Sequence, residues 1–259
     1  MSTLVLSRES LLFAEPEVIR DTERADALIF GERVVDTFIM SDIHLGSEVS
    51  RSKDALEMLK QFSFSRLILN GDVFEDLNFK RLTKEDWKFL SYIRKLSNPK
   101  REVEVVWVAG NHDGIAEILS HLLGITVYEE FLWEYEGEKY LAIHGHQLDR
   151  FLNDNVIVSS IACWSYKFFQ SIDSENQTLS RWMKRRSKTW LRVSEKIAND
   201  AIEYARSKGA QYVFCGHTHQ AMEMTFDGIT YCNSGCWTDM PSQFITIDKA
   251  KGTQIREYR

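Results

Sequence analysis

Five short apolar runs in this chain each end in Asp, Asn or His residues, and this repeated pattern constrains the fold more than any other feature. The runs are rich in Val, Ile, Leu and aromatic residues, as β-strands are. They cover residues 34–41, 66–70, 103–110, 140–145 and 212–216. Helical patterns at 52–62 and 83–96 separate the first three runs. This alternation of strands and helices predicts an α/β fold.

Local signals mark where two elements begin or turn. Thr83 and Asp86 stand at the start of the second helical pattern with the spacing of a capping box. Asp227 and Gly228 separate the strand-like runs "AMEMTF" and "ITYCNSG", and this dipeptide predicts a two-residue β-hairpin. Two further strand-like runs, "QFITID" and "TQIREY", follow it. The C-terminal part is therefore expected to be mostly β-structure.

The length and composition indicate one globular domain. The chain has 259 residues, 44% of them hydrophobic and 27% charged, and it can bury a sizeable core. We expect a single domain over residues 1–259, with residues 1–33 as an N-terminal extension. Residues 149–208 have mostly helical patterns and are expected to form a helical insert within the domain.

Composition also narrows the location and the partners. No apolar run reaches the roughly 18–20 residues that cross a bilayer, and the N-terminus does not resemble a signal peptide. The four scattered cysteines do not form a disulfide scaffold pattern, so a cytoplasmic location is expected. The formal net charge of −6 disfavours nucleic acid as a general partner.

The polar residues at the ends of the five runs form an unusual set. Six of the seven histidines lie there, and His121 does not. The set is Asp42, His44, Asp72, Asn111, His112, His144, His146, His217 and His219. In open α/β sheets, ligands bind at the carboxyl ends of the strands, so these side chains are expected to converge. Clustered buried polar groups are costly without a partner, and cations would supply one.

The donor types narrow the kind of metal. Carboxylate, amide and imidazole donors without thiolate suit Mn²⁺, Fe or Zn²⁺, and Mn²⁺ is our first expectation. The set holds more ligands than one ion takes, and a carboxylate can bridge two ions. A pair of ions about 3.5–4 Å apart is an arrangement that supports phosphoester hydrolysis, because it activates water and clamps phosphoryl oxygens. The sequence therefore predicts two divalent metal ions, with His217 and His219 serving different ones.

The motifs at the five strand ends resemble the signature of calcineurin-like metallophosphoesterases, in the family's order. They are Asp42-x-His44, Gly71-Asp72-x-x-Glu75, Gly110-Asn111-His112-Asp113, His144-Gly145-His146 and Gly216-His217-Thr218-His219. The resemblance implies a four-layer αββα sandwich, in which two packed sheets are flanked by helices. It also implies hydrolysis of a phosphoester by in-line attack of a hydroxide that bridges a dinuclear metal centre.

The resemblance implies a role for each matching position. Asp42, His44, Asp72 and His219 would hold one metal ion. Asp72 would bridge to a second ion, which Asn111, His144 and His217 would complete. His112 would contact the phosphate and protonate the leaving oxygen, a contribution of typically 10²–10⁴-fold. Asp113 would either orient His112 or cap the turn.

A narrower resemblance concerns the substrate. The stretch "GDVFE" and the insert are similar to the UDP-2,3-diacylglucosamine pyrophosphatase branch, which implies an acylated sugar nucleotide. That branch has Arg where this chain has His112 and Asp where it has His146, and both differences resemble general phosphatases and phosphodiesterases. A nuclease and, from another class, a non-catalytic metal-binding scaffold are the remaining alternatives. The expected substrate is a phosphorylated small molecule or a lipid-linked nucleotide.

One segment of the insert has a basic face. At about 100° per residue, Arg181, Lys184, Arg185, Lys188 and Arg192 share one side of a helix. The opposite side carries Trp182, Met183, Trp190, Val193 and Ile197. This pattern indicates either an ordinary solvated face or a surface that binds an anion or makes peripheral contact with a membrane. Arg185, Lys188 and Arg192 are the candidate substrate contacts.

Overall fold

A computed structural model describes residues 33–114, 120–121, 123–149 and 188–259. In chain order the elements are β1 (Arg33–Met40), α1 (Ser52–Leu59), β2 (Phe62–Asn70), α2 (Lys84–Leu96), β3 (Glu104–Val108), β4 (Val127–Tyr128), β5 (Phe131–Tyr135), β6 (Glu138–Ala142), α3 (Lys188–Lys208), β7 (Tyr212–Cys215), β8 (Met222–Phe226), β9 (Ile229–Asn233), β10 (Ser242–Asp248) and β11 (Gly252–Tyr258). Short 3₁₀ turns lie at Phe79–Arg81, Pro99–Arg101 and His146–Leu148. The interpretations of residues 1–32 and of most of the insert fall outside the described residues.

The strands form two sheets. One sheet has the order β11-β10-β1-β2-β3-β4, in which β1 to β4 are parallel and β10 runs antiparallel to β1. The other has the order β5-β6-β7-β9-β8, with β6, β7 and β9 parallel to one another. The carboxyl ends of the parallel strands β1, β2 and β3 therefore lie at the same end of the first sheet. Those of β6 and β7 likewise lie at one end of the second sheet.

The two sheets pack face to face between helices. Alternate residues of β1 point to opposite sides, so Phe38 and Met40 lie in a core with α1 and α2, while Ile39 lies between the sheets. Trp133 and Phe214 of the second sheet belong to the core between the sheets. Buried residues of α3 pack on the outer face of the second sheet. The helix–sheet–sheet–helix order confirms the predicted αββα sandwich.

One predicted boundary was wrong. The helical pattern at 52–62 ends at Leu59, and β2 begins at Phe62 instead of at Arg66. Phe62 pairs in register with Arg33, and its ring lies 5.3 Å from that of Phe38, centroid to centroid. The strand is longer because this aromatic packing extends the pairing with β1.

The predicted capping box and the predicted hairpin are both confirmed. Thr83 accepts a hydrogen bond from the Asp86 backbone, and the Asp86 side chain accepts one in return, so the capping box is present. Asp227 and Gly228 have φ values of 49° and 76° and join β8 to β9 as the predicted hairpin. The part of the predicted insert that the structure describes is helical over Lys188–Lys208. Among the described helices, none combines the length and apolar character needed to cross a membrane.

Candidate metal centre

The carboxyl ends of four strands bring most of the predicted ligands together. Asp42 and His44 follow β1, and Asp72 follows β2. His144 follows β6 in the other sheet, and His217 and His219 follow β7. The candidate centre therefore lies at the carboxyl ends of parallel strands from both sheets.

One set of ligand atoms, which we name the Asp42 group, consists of Asp42, His44 and His219. Each residue offers one ligand atom, and these atoms lie within 4.8 Å of one another. His219 Nε2 lies 3.1 Å from Asp42 Oδ1 and 3.2 Å from His44 Nε2. Burial raises the pKa of the Asp42 carboxyl, but His219 and His144 outweigh it, so that the pKa lies below its usual value.

A second set, the Asp72 group, consists of Asp72, His144 and His217 and meets the same 4.8 Å limit. Asp72 Oδ2 lies 3.2 Å from His144 Nε2 and 3.9 Å from His44 Nε2. The Asp72 carboxylate is thus placed between the two groups. Burial lowers the pKa of His144, but Asp72 and then Asp42 outweigh it and raise this pKa to about 10. The field of the buried carboxylates therefore favours positive charge.

The donor nitrogens fit divalent cations. His44 Nδ1 lies 3.0 Å from Glu75 Oε2, and His144 Nδ1 lies 2.9 Å from the Asn70 carbonyl oxygen. Because the Asn70 carbonyl is an acceptor, Nδ1 of His144 carries the proton, and in the neutral ring Nε2 presents a lone pair toward Asp72. Lone pairs and carboxylates facing one another in a buried site repel unless a cation lies among them. The two groups therefore match the predicted donor chemistry, and their assignment to metal ions stays a prediction.

Backbone strain is concentrated at these residues. Positive φ values between 51° and 65° occur at Asp42, His44, Asp72, His217 and His219. Residues other than glycine rarely adopt this conformation, which costs of order 1–3 kcal/mol each. Such strain clusters at functional sites, where the surrounding structure imposes it.

Two glycines allow the loops to approach the carboxylates closely. A Cβ atom on Gly110 would lie 2.2 Å from Asp72 Oδ1, and one on Gly216 would lie 2.4 Å from Asp42 Oδ2. No side chain fits at such separations, so these glycines are required by close approach of backbone to the candidate ligands. The glycine at the start of the "GNHD" and "GHTH" motifs therefore has a packing reason.

His112 lies beside the Asp42 group on the loop after β3. Its ring centroid is 5.0 Å from that of His44, and its backbone N–H donates to Asp72 Oδ1 at 2.8 Å. His112 Nδ1 lies 2.9 Å from the Glu75 carbonyl oxygen, which fixes the proton on Nδ1 and turns Nε2 away from that carbonyl. The neighbouring candidate ligand Asn111 lies on the same loop and is exposed.

Of the two roles predicted for Asp113, the structure shows the capping of the turn after β3. The hydrogen-bond partner of the His112 ring is the Glu75 carbonyl oxygen. Asp113 is fully buried and accepts four hydrogen bonds. The donors are the backbone N–H groups of Val73, Phe74 and Gly110 and the indole N–H of Trp107, at 2.8–3.2 Å. Its carboxylate thereby ties the loop after β3 to the loop after β2.

Replacing Asp113 with Ala is expected to destabilise the fold by about 3 kcal/mol or more, because each buried donor left without an acceptor costs about 1–3 kcal/mol. Urea unfolding of the metal-free chain would measure this. Asp76→Ala, at an exposed carboxylate of the preceding loop that pairs with Arg81, is expected to cost less than about 1 kcal/mol. Equal losses in the two variants would contradict the bracing role.

The candidate substrate contacts lie at the start of α3 or outside the described residues. Arg192 lies on α3 and is exposed, whereas Arg185 and the side chain of Lys188 lie outside the described residues. Sequence reasoning missed the carboxylate partners of two candidate ligand histidines, Glu75 at His44 and Asp149 at His217. Glu75 ends the motif around Asp72 and could have been found there, but nothing in the sequence links residue 149 to residue 217.

A cleft opens beside His219. Its volume is about 320 Å³, and it lies between the start of α3 and the loops after β7 and β9. The lining residues include Trp190, Leu191, Gln220, Asp239, Met240 and Pro241. The cleft thus places apolar and polar side chains directly next to the Asp42 group.

Comparison with protein families identifies the class of this protein. The model described as the calcineurin-like phosphoesterase superfamily domain matches residues 36–248. The chain therefore belongs to the calcineurin-like phosphoesterase superfamily. Its membership, together with the two ligand groups, supports divalent metal binding and metal-dependent phosphoester hydrolysis. Comparison with curated protein sequences gives no significant match.

Several solved structures are similar to this chain. An archaeal phosphodiesterase shares 16% identity over 85% of this chain and 97% of its own, with a TM-score of 0.48. The phosphoesterase YfcE from E. coli shares 15% identity over 82% and 88%, with a TM-score of 0.46. Zn²⁺-bound Vps29 from Entamoeba histolytica shares 12% identity over 85% and 97%, with a TM-score of 0.46.

Proposed function

We propose that the protein is a hydrolase of phosphoester bonds that uses two divalent metal ions, held by the Asp42 group and the Asp72 group. The observation that carries this proposal is the placement of the Asp72 carboxylate between the two groups, 3.2 Å from His144 Nε2 and 3.9 Å from His44 Nε2. Asn111 would complete the second set of ligands. Mn²⁺ is the first candidate, with Fe and Zn²⁺ as alternatives of the same donor preference.

Two metal ions of this kind polarise phosphoryl oxygens and make an oxygen nucleophile available at neutral pH. The side chains supply the rest of the chemistry. Asp42 and Asp72 would help hold the ions and would neutralise part of their positive charge. His112 is held by the Glu75 carbonyl through Nδ1, so Nε2 is the atom that would donate a proton to the leaving oxygen. The cleft beside His219 would receive part of the substrate.

Two substrate classes follow from different observations. A lipid-linked nucleotide such as UDP-2,3-diacylglucosamine is suggested by "GDVFE" and by the insert, whose basic face would bind the pyrophosphate or a membrane surface through Arg185, Lys188 and Arg192. A general phosphomonoester or phosphodiester is supported by His112 and His146. The UDP-2,3-diacylglucosamine pyrophosphatase branch has Arg and Asp at these two positions. We favour the second class, because His112 would supply the proton that the leaving oxygen of such an ester needs.

Removal and return of metal tests the proposed reaction. The full chain, stripped with chelator, is expected to lose hydrolysis of bis(p-nitrophenyl) phosphate and to regain it when two Mn²⁺ ions per chain are restored. A panel of phosphomonoesters, cyclic nucleotides and UDP-sugar pyrophosphates then separates the substrate classes. Two bound ions without any hydrolysis would favour the non-catalytic scaffold, and hydrolysis in excess chelator would contradict the metal requirement.

A further inference from the structure

His217 has a carboxylate partner outside the two ligand groups. Asp149 directly follows the 3₁₀ turn His146–Leu148, and its Oδ2 lies 3.1 Å from His217 Nε2. Both side chains are buried, with relative exposures of 6% for Asp149 and 8% for His217. The contact joins the strand ends of β6 and β7 across 68 residues of sequence.

The chemistry of this contact fixes the state of the ring. A carboxylate offers only acceptors, so a hydrogen bond between it and Nε2 requires the proton to be on Nε2. In the neutral imidazole, Nδ1 then presents the lone pair. A ring nitrogen of His217 lies within 4.8 Å of the ligand atoms of Asp72 and His144, so the ring also faces the Asp72 group.

The other histidine of this group is held differently. His144 Nδ1 donates to the backbone carbonyl of Asn70 at 2.9 Å, and no side-chain substitution removes that acceptor. The orienting partner of His217 is a side chain, so a single substitution can remove it. Hydrogen-bond partners of ligand histidines fix ring orientation and increase ligand basicity, and their loss typically costs 10–100-fold in metal affinity.

We propose that Asp149 is a positioning residue that holds His217 in the Nε2–H tautomer and presents Nδ1 to the divalent cation of the Asp72 group. This inference rests on the proposed dinuclear centre. It assigns different ring nitrogens to the two histidines of that group, Nε2 for His144 and Nδ1 for His217. It also predicts that Asp149 affects one of the two ions.

Equilibrium dialysis of the full chain against Mn²⁺ tests this. Wild-type protein is expected to bind two ions, and Asp149→Ala is expected to bind one of them 10–100-fold more weakly while the other is unchanged. Asp149→Asn keeps an oxygen that can accept from Nε2–H but loses the charge, so its effect is expected to be smaller. Nitrogen-15 NMR of the metal-free histidines should show the Nε2–H tautomer of His217 in wild type and its loss in Asp149→Ala.

Asp86→Ala is the matched control, because Asp86 is also a buried carboxylate but caps the start of α2. It is expected to lower thermal stability without changing affinity for either ion. Unchanged affinities in Asp149→Ala, or an equal weakening in Asp86→Ala, would overturn the role of Asp149 and leave the dinuclear centre standing. Wild-type protein that binds fewer than two ions would instead contradict the centre itself, and this inference with it.

Discussion

Replacing Asp72 with Asn is expected to reduce metal-dependent hydrolysis of bis(p-nitrophenyl) phosphate by more than about 100-fold. Loss of a residue that only hydrogen-bonds to a metal ligand typically lowers metal affinity or activity about 10–100-fold. A larger effect is expected for Asp72, because it is itself a proposed ligand. Asn keeps the size and one oxygen, but it removes the negative charge that the surrounding histidines stabilise. Burial raises the pKa of Asp72, but His144 and His44 outweigh it and hold the pKa well below its usual value.

Both metal content and turnover are informative for this variant. At limiting Mn²⁺, Asp72→Asn is expected to retain fewer than two ions per chain, because the carboxylate lies between both groups. Asp36→Asn, within β1 and outside the centre, is the matched control and is expected to behave like wild type. Undiminished turnover in Asp72→Asn would remove this residue from the mechanism.

Replacing His112 with Ala is expected to lower kcat by about 10²–10⁴-fold for an alkyl phosphodiester, whose leaving oxygen needs a proton. The loss is expected to be much smaller for a p-nitrophenyl ester, because nitrophenolate leaves without protonation. A ring nitrogen of His112 lies within 4.8 Å of ligand atoms of His44 and Glu75. The two bound ions should nevertheless remain, because the proposed role of His112 is proton donation. Parallel kinetics with both esters, together with metal analysis, would measure these effects.

His121→Ala is the control for this experiment, because His121 is exposed and is the one histidine outside the strand-end motifs. It is expected to leave both activities unchanged. Equal losses of His112→Ala on the two esters would argue against proton donation, and loss of metal would assign His112 a ligand role.

The sequence predicts the fold and the positions of the candidate site well, because both depend on local patterns. Apolar runs that end in Asp and His, a capping box at Thr83 and the Asp227-Gly228 turn each need only a few neighbouring residues. The start of β2 could not be predicted in the same way, because it depends on Phe62 packing against Phe38 of another strand.

The orientation of the ligand rings depends on contacts that no local pattern contains. His144 is oriented by a backbone carbonyl at Asn70, and His217 by a carboxylate far away in sequence. The role of Asp113 was also open, because its donors come from two loops that meet only in the folded chain. Sequence motifs thus indicate the types of candidate ligand, and tertiary structure decides which atom each of them presents.

The candidate ligands come from both sheets, so cation binding at the proposed centre would be linked to the packing of the two sheets against each other. Neither sheet alone carries a full set of donors, since Asp42, His44 and Asp72 follow strands of one sheet and His144, His217 and His219 follow strands of the other. Ions bound there would connect residues of the two sheets. Because they would bind only the folded chain, they would also stabilise it against unfolding. Removal of the ions with a chelator would then weaken the packing of the two sheets against each other, in addition to stopping hydrolysis.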